Sequence, residues 1–219
     1  MKTDSQLQQD VMAELKWEPA VHAEQIGVEV KDGIVTLAGH VDSFPAKWNA
    51  ERAAQRVAGV KALAVEIDVK LNGSAQRTDA DIARSAENVL LWTTYLPKDS
   101  VKVMVEDGWV TLSGQVQWAF QRATATAAVR YLAGVRGVSD QITIKPHDSV
   151  TASAVKSDIE ASLKRRAINE ASGIKVVVHG TEVTLTGKVP TWAERDAAGS
   201  AAWSSAGVTN VIDNIAISY

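Results

Sequence analysis

Val35-Thr-Leu-Ala-Gly39 decides the fold, because it recurs as Val110-Thr-Leu-Ser-Gly114 and as Val183-Thr-Leu-Thr-Gly187. The first and second copies are 75 residues apart and the second and third 73. Twenty residues after each of these glycines stands another, closing an Ala-Gly pair: Gly59, Gly134 and Gly207. One unit is therefore repeated three times, and the expected boundaries are 1–71, 72–147 and 148–219.

Working outward, each VTLxG stretch is preceded by a hairpin signal. Val28-Glu-Val30 leads through Asp32-Gly33 into Ile34–Val41, and the second repeat has Asp107-Gly108 at the matching place. Asp-Gly between alternating apolar residues suits a type I′ turn, which needs positive φ at both central residues. The third repeat reads His179-Gly180-Thr181-Glu182, so a longer turn is expected there. Strand alternation puts Val35, Leu37, Gly39 and Val41 on one face. A glycine in an apolar row admits close approach by another element. The expected visitor is the helix that follows, which is small-sided: Ala50, Ala53, Ala54 and Val57; Ala125, Ala128, Val129 and Leu132; Ala198, Ala201, Ala202 and Ser205. Its start is read at Ser43 or at Thr191, where Glu194 completes a capping-box spacing. Gly59, Gly134 and Gly207 fall where a left-handed residue ends a helix.

Further upstream, four-residue spacing predicts an amphipathic helix in each repeat: Leu7, Val11 and Leu15; Ile82, Ala86 and Leu90; Val155, Ile159 and Leu163. Starts are read at Thr78-Asp79 and Ser153. Third strands are expected at 62–70, 138–145 and 208–218. The fold class is thus α+β: three tandem small domains, each helix-strand-strand-helix-strand, with a mixed three-stranded sheet packed by two helices. The hairpin is antiparallel, and the crossover through a helix makes strands two and three parallel. Domains of this size bury only about 60% of their unfolded surface, so the three are expected to lean on one another or on a partner. The joins 71–78 and 146–149 are short and turn-rich.

Composition excludes several functions. The 219 residues are 46% hydrophobic and 22% charged, which suits an ordinary globular protein. Net charge is −3, with 8 basic against 11 acidic residues in the first repeat, 8 against 7 in the second and 7 against 8 in the third. The basic footprint of a nucleic-acid binder is missing. There is no cysteine, which removes disulfides, thiolate catalysis and zinc–sulfur sites. The polar start and the lack of a run of about 18 apolar residues predict neither a signal peptide nor a membrane span. The expected location is cytoplasmic, or periplasmic if the sequence is a trimmed mature form.

The pattern VxVxDGxVTLxG, an Ala-rich helix, then AGVxxVxxxIxI resembles the BON domain (bacterial OsmY and nodulation). It covers Val28 to Val69, Val101 to Ile144 and Ile174 to Ile217. The resemblance implies a non-enzymatic bacterial module, associated with osmotic and envelope stress and attaching to phospholipid membranes. A cytoplasmic branch of the family is associated with potassium.

No catalytic constellation stands out. His22, His40, His147 and His179 are scattered, with no metal-ligand spacing, so no metal, cofactor or catalytic residue is expected. Gly39, Gly59, Gly114, Gly134, Gly187 and Gly207 form the structural signature. One recurrent pattern is a candidate membrane or partner site, where each second strand hands over to its helix: Phe44 with Lys47, Trp118 with Arg122, and Trp192 with Arg195. A ring beside a cation suits a lipid headgroup layer. The competing reading is a hydrophobic staple with a solvated base beside it. Trp17 and Trp92 end the first helices of their repeats, where they are expected to plug the core or a domain contact. Trp109 falls on the outer sheet face, as a contact between repeats or a partner site. The expected partner is a phospholipid surface or a protein. The alternatives are a potassium-responsive binding protein, holding the ion through carbonyls and carboxylates such as those at Glu106-Asp107, and an oligomer-building module that pairs strand edges between chains.

Overall fold

The computed structural model describes residues 2–145, 151–165 and 173–218. The 146–149 join, with His147, lies outside them. The first repeat runs α1 (Asp4–Trp17), β1 (Ile26–Lys31), β2 (Ile34–Val41), α2 (Phe44–Arg56) and β3 (Ala62–Val69). The second runs α3 (Asp79–Leu91), β4 (Val101–Glu106), β5 (Trp109–Val116), α4 (Ala119–Arg130) and β6 (Gly137–Ile144). The third runs α5 (Ala152–Arg165), β7 (Lys175–His179), β8 (Glu182–Val189), α6 (Trp192–Trp203) and β9 (Asn210–Ile217). Three sheets result, ordered β1-β2-β3, β4-β5-β6 and β7-β8-β9. In the first and third, the hairpin is antiparallel and the crossover pair parallel. The central strand is therefore the one carrying VTLxG. Compactness divides the chain differently from the repeat. Residues 1–113 with 125–141 form one unit and residues 114–124 with 142–219 another, so the second repeat contributes to both.

The helical stripes do what their spacing implies. Leu7, Val11 and Leu15 are buried, as are Ile82, Ala86 and Leu90, and Val155, Ile159 and Leu163. They meet the inward row of the central strands, Val35, Leu37 and Val41 in the first repeat and Val183, Leu185 and Val189 in the third. The alanine stripe of α2 closes that core, with Ala50, Ala53 and Ala54 fully buried. Such burial is the main stabilising term for small domains, at about 25 cal/mol per Å² of apolar surface.

The VTLxG glycine works differently from the expectation. Gly39 has φ +138°, and a Cβ added to it would overlap the carbonyl oxygen of Gln25, at the entrance to β1. At Gly187, φ is +144°, and the added Cβ would stand 3.0 Å from the Gly173 carbonyl oxygen. The visitor is thus the backbone of the hairpin partner, not the following helix. Alternation failed as a guide because positive φ interrupts the pleat at this residue.

The Asp-Gly turns form as predicted, with positive φ at Asp32, Gly33, Asp107 and Gly108. Each is gripped by a carboxylate from the preceding helix. Asp4 accepts the Asp32 and Gly33 amides at 2.8 and 3.1 Å, and Asp79 accepts those of Asp107 and Gly108 at 2.9 Å each. The third hairpin is not longer. His179 pairs with Glu182, leaving a two-residue Gly180-Thr181 turn with positive φ at Gly180 alone among its pair. A two-residue loop with positive φ at its first position is the other hairpin class compatible with strand twist.

Candidate functional site

At each handover from central strand to helix, the sequence locally builds a cap. Ser43 accepts the Ala46 amide, and Thr191 accepts the Glu194 amide at 3.2 Å. In the second repeat, buried Gln121 reaches back from the first turn of α4, its Oε1 accepting the amides of Gln117 and Trp118 just before the helix at 3.0 and 3.1 Å. The ring–cation residues sit around these caps, and all six are half-buried. Lys47 Nζ donates to the Ile67 carbonyl at 2.8 Å. Arg195 forms a 2.8 Å ion pair with Asp213, and its guanidinium lies 5.2 Å from the Trp192 ring centre. Arg122 stacks on Trp203, 4.3 Å from its centre. The structure thus brings ring and cation of the third handover together at Trp192 and Arg195. It directs Lys47 to β3 and Arg122 to α6.

Trp17 and Trp92 are placed otherwise than expected. They neither plug a core nor bury at a contact: the residues are 80% and 84% exposed. The reason lies in helix geometry. Each follows the last buried stripe residue, Leu15 or Leu90, by two positions, which turns it about 200° round the axis and away from the core. That angle was available from the sequence and is the signal that would have found them. The third repeat carries exposed Arg165 at the same place.

A cleft lies at the end of the first helix in the first and second repeats. In the second repeat it has a volume of about 900 Å³, between the end of α3 and the loop into β4, and is lined in part by Leu90, Leu91, Leu96, Pro97 and Val101. The first repeat has the equivalent cleft at about 430 Å³, lined in part by Met12, Leu15, Lys16, Val21 and Ile26. Exposed Leu91, Tyr95 and Met104 add apolar surface in the second repeat, and Met12 does so in the first.

Trp109 lies on the outer face, as alternation implies, but it serves its own sheet. Its ring covers Gly137, where a Cβ would collide with it, and its Nε1 donates to Ser139 Oγ at 2.8 Å. In the same unit, the guanidinium groups of Arg130 and Arg52 stand 4.1 and 5.4 Å from the centre of the Trp48 ring. Neighbouring Glu51 has its pKa raised because burial outweighs the attraction of Lys47 and Arg130. His22, His40 and His179 are exposed. Among the described residues, no group of three or more His, Asp or Glu converges as metal ligands would, and no helix is long and apolar enough to cross a membrane.

The family model for the BON domain matches three segments, residues 3–70, 78–146 and 147–219. Osmotically-inducible protein Y of Escherichia coli (strain K12) is 30% identical over 146 residues, spanning 65% of this chain and 73% of that protein. Among solved structures, the C-terminal domain of CdsD, the structural protein of the Type III secretion system of Chlamydia trachomatis, aligns at 13% identity with a TM-score of 0.28, covering 96% of each chain. The PrgH periplasmic domain aligns at 15% identity with a TM-score of 0.22, covering 89% of this chain and 96% of that one.

Proposed function

This chain belongs to the BON domain family, and on that premise we propose that it is a non-enzymatic, osmotic-stress-associated protein that binds phospholipid membrane surfaces through Trp17 and Trp92. The stress association rests on the likeness to Osmotically-inducible protein Y. One observation carries the membrane reading: two repeats hold an indole at the same helix end, each at least 80% exposed. An exposed indole at the same place in two repeats, with exposed Leu91 adjoining Trp92 in the chain, supports a surface that meets an apolar partner. An indole suits the interface because its ring enters the acyl boundary while its N–H stays hydrated. Lys16 adjoins Trp17 in the chain, and Lys98 and Lys102 line the cleft at the end of α3 in the second repeat. Two weak sites on one chain raise overall binding through effective concentration.

The handover residues Phe44, Lys47, Trp118, Arg122, Trp192 and Arg195 are half-buried, so they present less ring surface to a membrane than Trp17 and Trp92 do. The test is co-sedimentation with anionic vesicles at low salt. Wild-type protein is expected in the pellet, and Trp17→Ala/Trp92→Ala is expected to stay in the supernatant with unchanged circular dichroism. No pelleting of wild type, or equal pelleting of the double variant, removes this reading.

A further inference from the structure

We propose that two copies of this chain associate through the edge strand of the second repeat, β4 pairing antiparallel with β4. In each sheet the first strand lies at an edge, hydrogen-bonded on one side only. An edge leaves backbone donors and acceptors that a further strand can satisfy. The repeats differ in how they treat it. In the first, Gln8 of α1 donates to the outward carbonyl of Val28 at 2.7 Å, which obstructs pairing. The matching residues in the second repeat are Ala83 and Val103, and alanine cannot make that bond.

Val103 matches Val28, so Val101, Val103 and Val105 turn their backbone groups outward, and Lys102, Met104 and Glu106 lie on the exposed face. Let two β4 strands meet with Val103 opposite Val105 of the second chain. Those two residues then exchange hydrogen bonds on both sides of the two-fold axis. On the outer face, Lys102 stands opposite Glu106 of the second chain, twice by symmetry, and Met104, 59% exposed, stands opposite its own copy. These are non-hydrogen-bonded positions, where facing side chains come closest. Ion pairs and an apolar contact both favour this register.

The same register fails in the other repeats. In β1 it sets Glu29 against Glu29, and in β7 it sets Lys175 against His179. Charge complementarity therefore selects the second repeat, and a second copy of this chain, because β4 is complementary to itself. Association through β4 needs no membrane and stands apart from the vesicle reading.

The test is sedimentation equilibrium of the full chain in vesicle-free buffer over a range of concentrations. Wild type is expected to show a concentration-dependent monomer–dimer equilibrium. Lys102→Glu and Glu106→Lys each place like charges opposite one another, and each is expected to raise the dimer dissociation constant at least about tenfold. The double swap Lys102→Glu/Glu106→Lys restores opposite charges and is expected to return to within about threefold of wild type. These side chains point away from the core, and circular dichroism checks that each variant folds. Because the chain has no cysteine, Met104→Cys adds an independent readout, a disulfide-linked dimer under mild oxidation. A monomer at every concentration overturns the proposal. So does a dimer indifferent to the single swaps, or a double swap no better than the singles. Capture of an extended foreign peptide by a chain that stays monomeric would also overturn it.

Discussion

Asp79 and Asp107 lie 28 residues apart in the chain and meet in the fold, the Asp79 carboxylate accepting the Asp107 amide at 2.9 Å. The same carboxylate holds Gly108 at 2.9 Å, so the first turn of α3 clamps the β4–β5 hairpin. Charge-assisted bonds to backbone amides are among the stronger ones, moderated here by partial exposure. Asp79→Ala is expected to cost about 1–2 kcal/mol, read as a fall in melting temperature. Asp79→Asn, with one acceptor oxygen, is expected to lose roughly half of that.

Gly39→Ala is expected to be far more damaging than its small volume suggests. The residue sits at φ +138°, and the new methyl would overlap the Gln25 carbonyl oxygen. Backbone strain and collision together predict a loss of about 2 kcal/mol or more. Gly27→Ala is the control. Its Cβ would meet only the Ala38 oxygen, at 3.6 Å, so its melting temperature should stay near wild type.

Trp48 and Arg130 join α2 to α4, with the guanidinium 4.1 Å from the indole centre. A double-mutant cycle with Trp48→Phe and Arg130→Ala is expected to return a coupling of about 0.5–2 kcal/mol. Additive effects would mean that the stack is incidental packing.

Glu51 supplies a pH dependence. Burial raises its pKa in the folded state above that of the unfolded chain. The native state then holds the proton more tightly, so its stabilising effect is complete below the ordinary carboxyl range and lost as pH rises through the folded value. Glu51→Gln removes this loss. The melting temperature of the variant relative to wild type should therefore move upward between about pH 4 and about pH 7. A difference that stays constant, or moves downward, would contradict that sign.

Ser205 follows the end of α6 by two residues, at the place of Val57 and Leu132 in the other repeats. Its hydroxyl is buried without a hydrogen-bond partner. Ser205→Val removes an unsatisfied polar atom and adds apolar volume, and is expected to stabilise the third domain by about 1 kcal/mol. Thermal unfolding followed by Trp203 fluorescence would read it.

Much of this was legible beforehand, for definite reasons. Nine helix positions at four-residue spacing, from Leu7 to Leu163, all proved buried, because a helical stripe has only one way to face a sheet. The Asp32-Gly33 turn was readable from its dipeptide, since few residues tolerate positive φ at both positions. The grip of Asp4 and Asp79 was not, because an aspartate at a helix start reads equally well as a favourable charge at the dipole. The burial that ring size implies for Trp17 and Trp92 yields to their angular position, two residues past Leu15 and Leu90. Helix geometry already turned them outward.

The repeat, the order of elements, the core stripes and the family are legible in the residues alone, because these depend on local periodicity and turn chemistry written three times. What Gly39 and Gly187 admit, which cations are already engaged, and that Gln8 covers a strand edge that Ala83 cannot, are settled only by the folded chain. Those facts depend on atoms far apart in the chain meeting at hydrogen-bond distance, and spacing along a sequence carries no record of that approach.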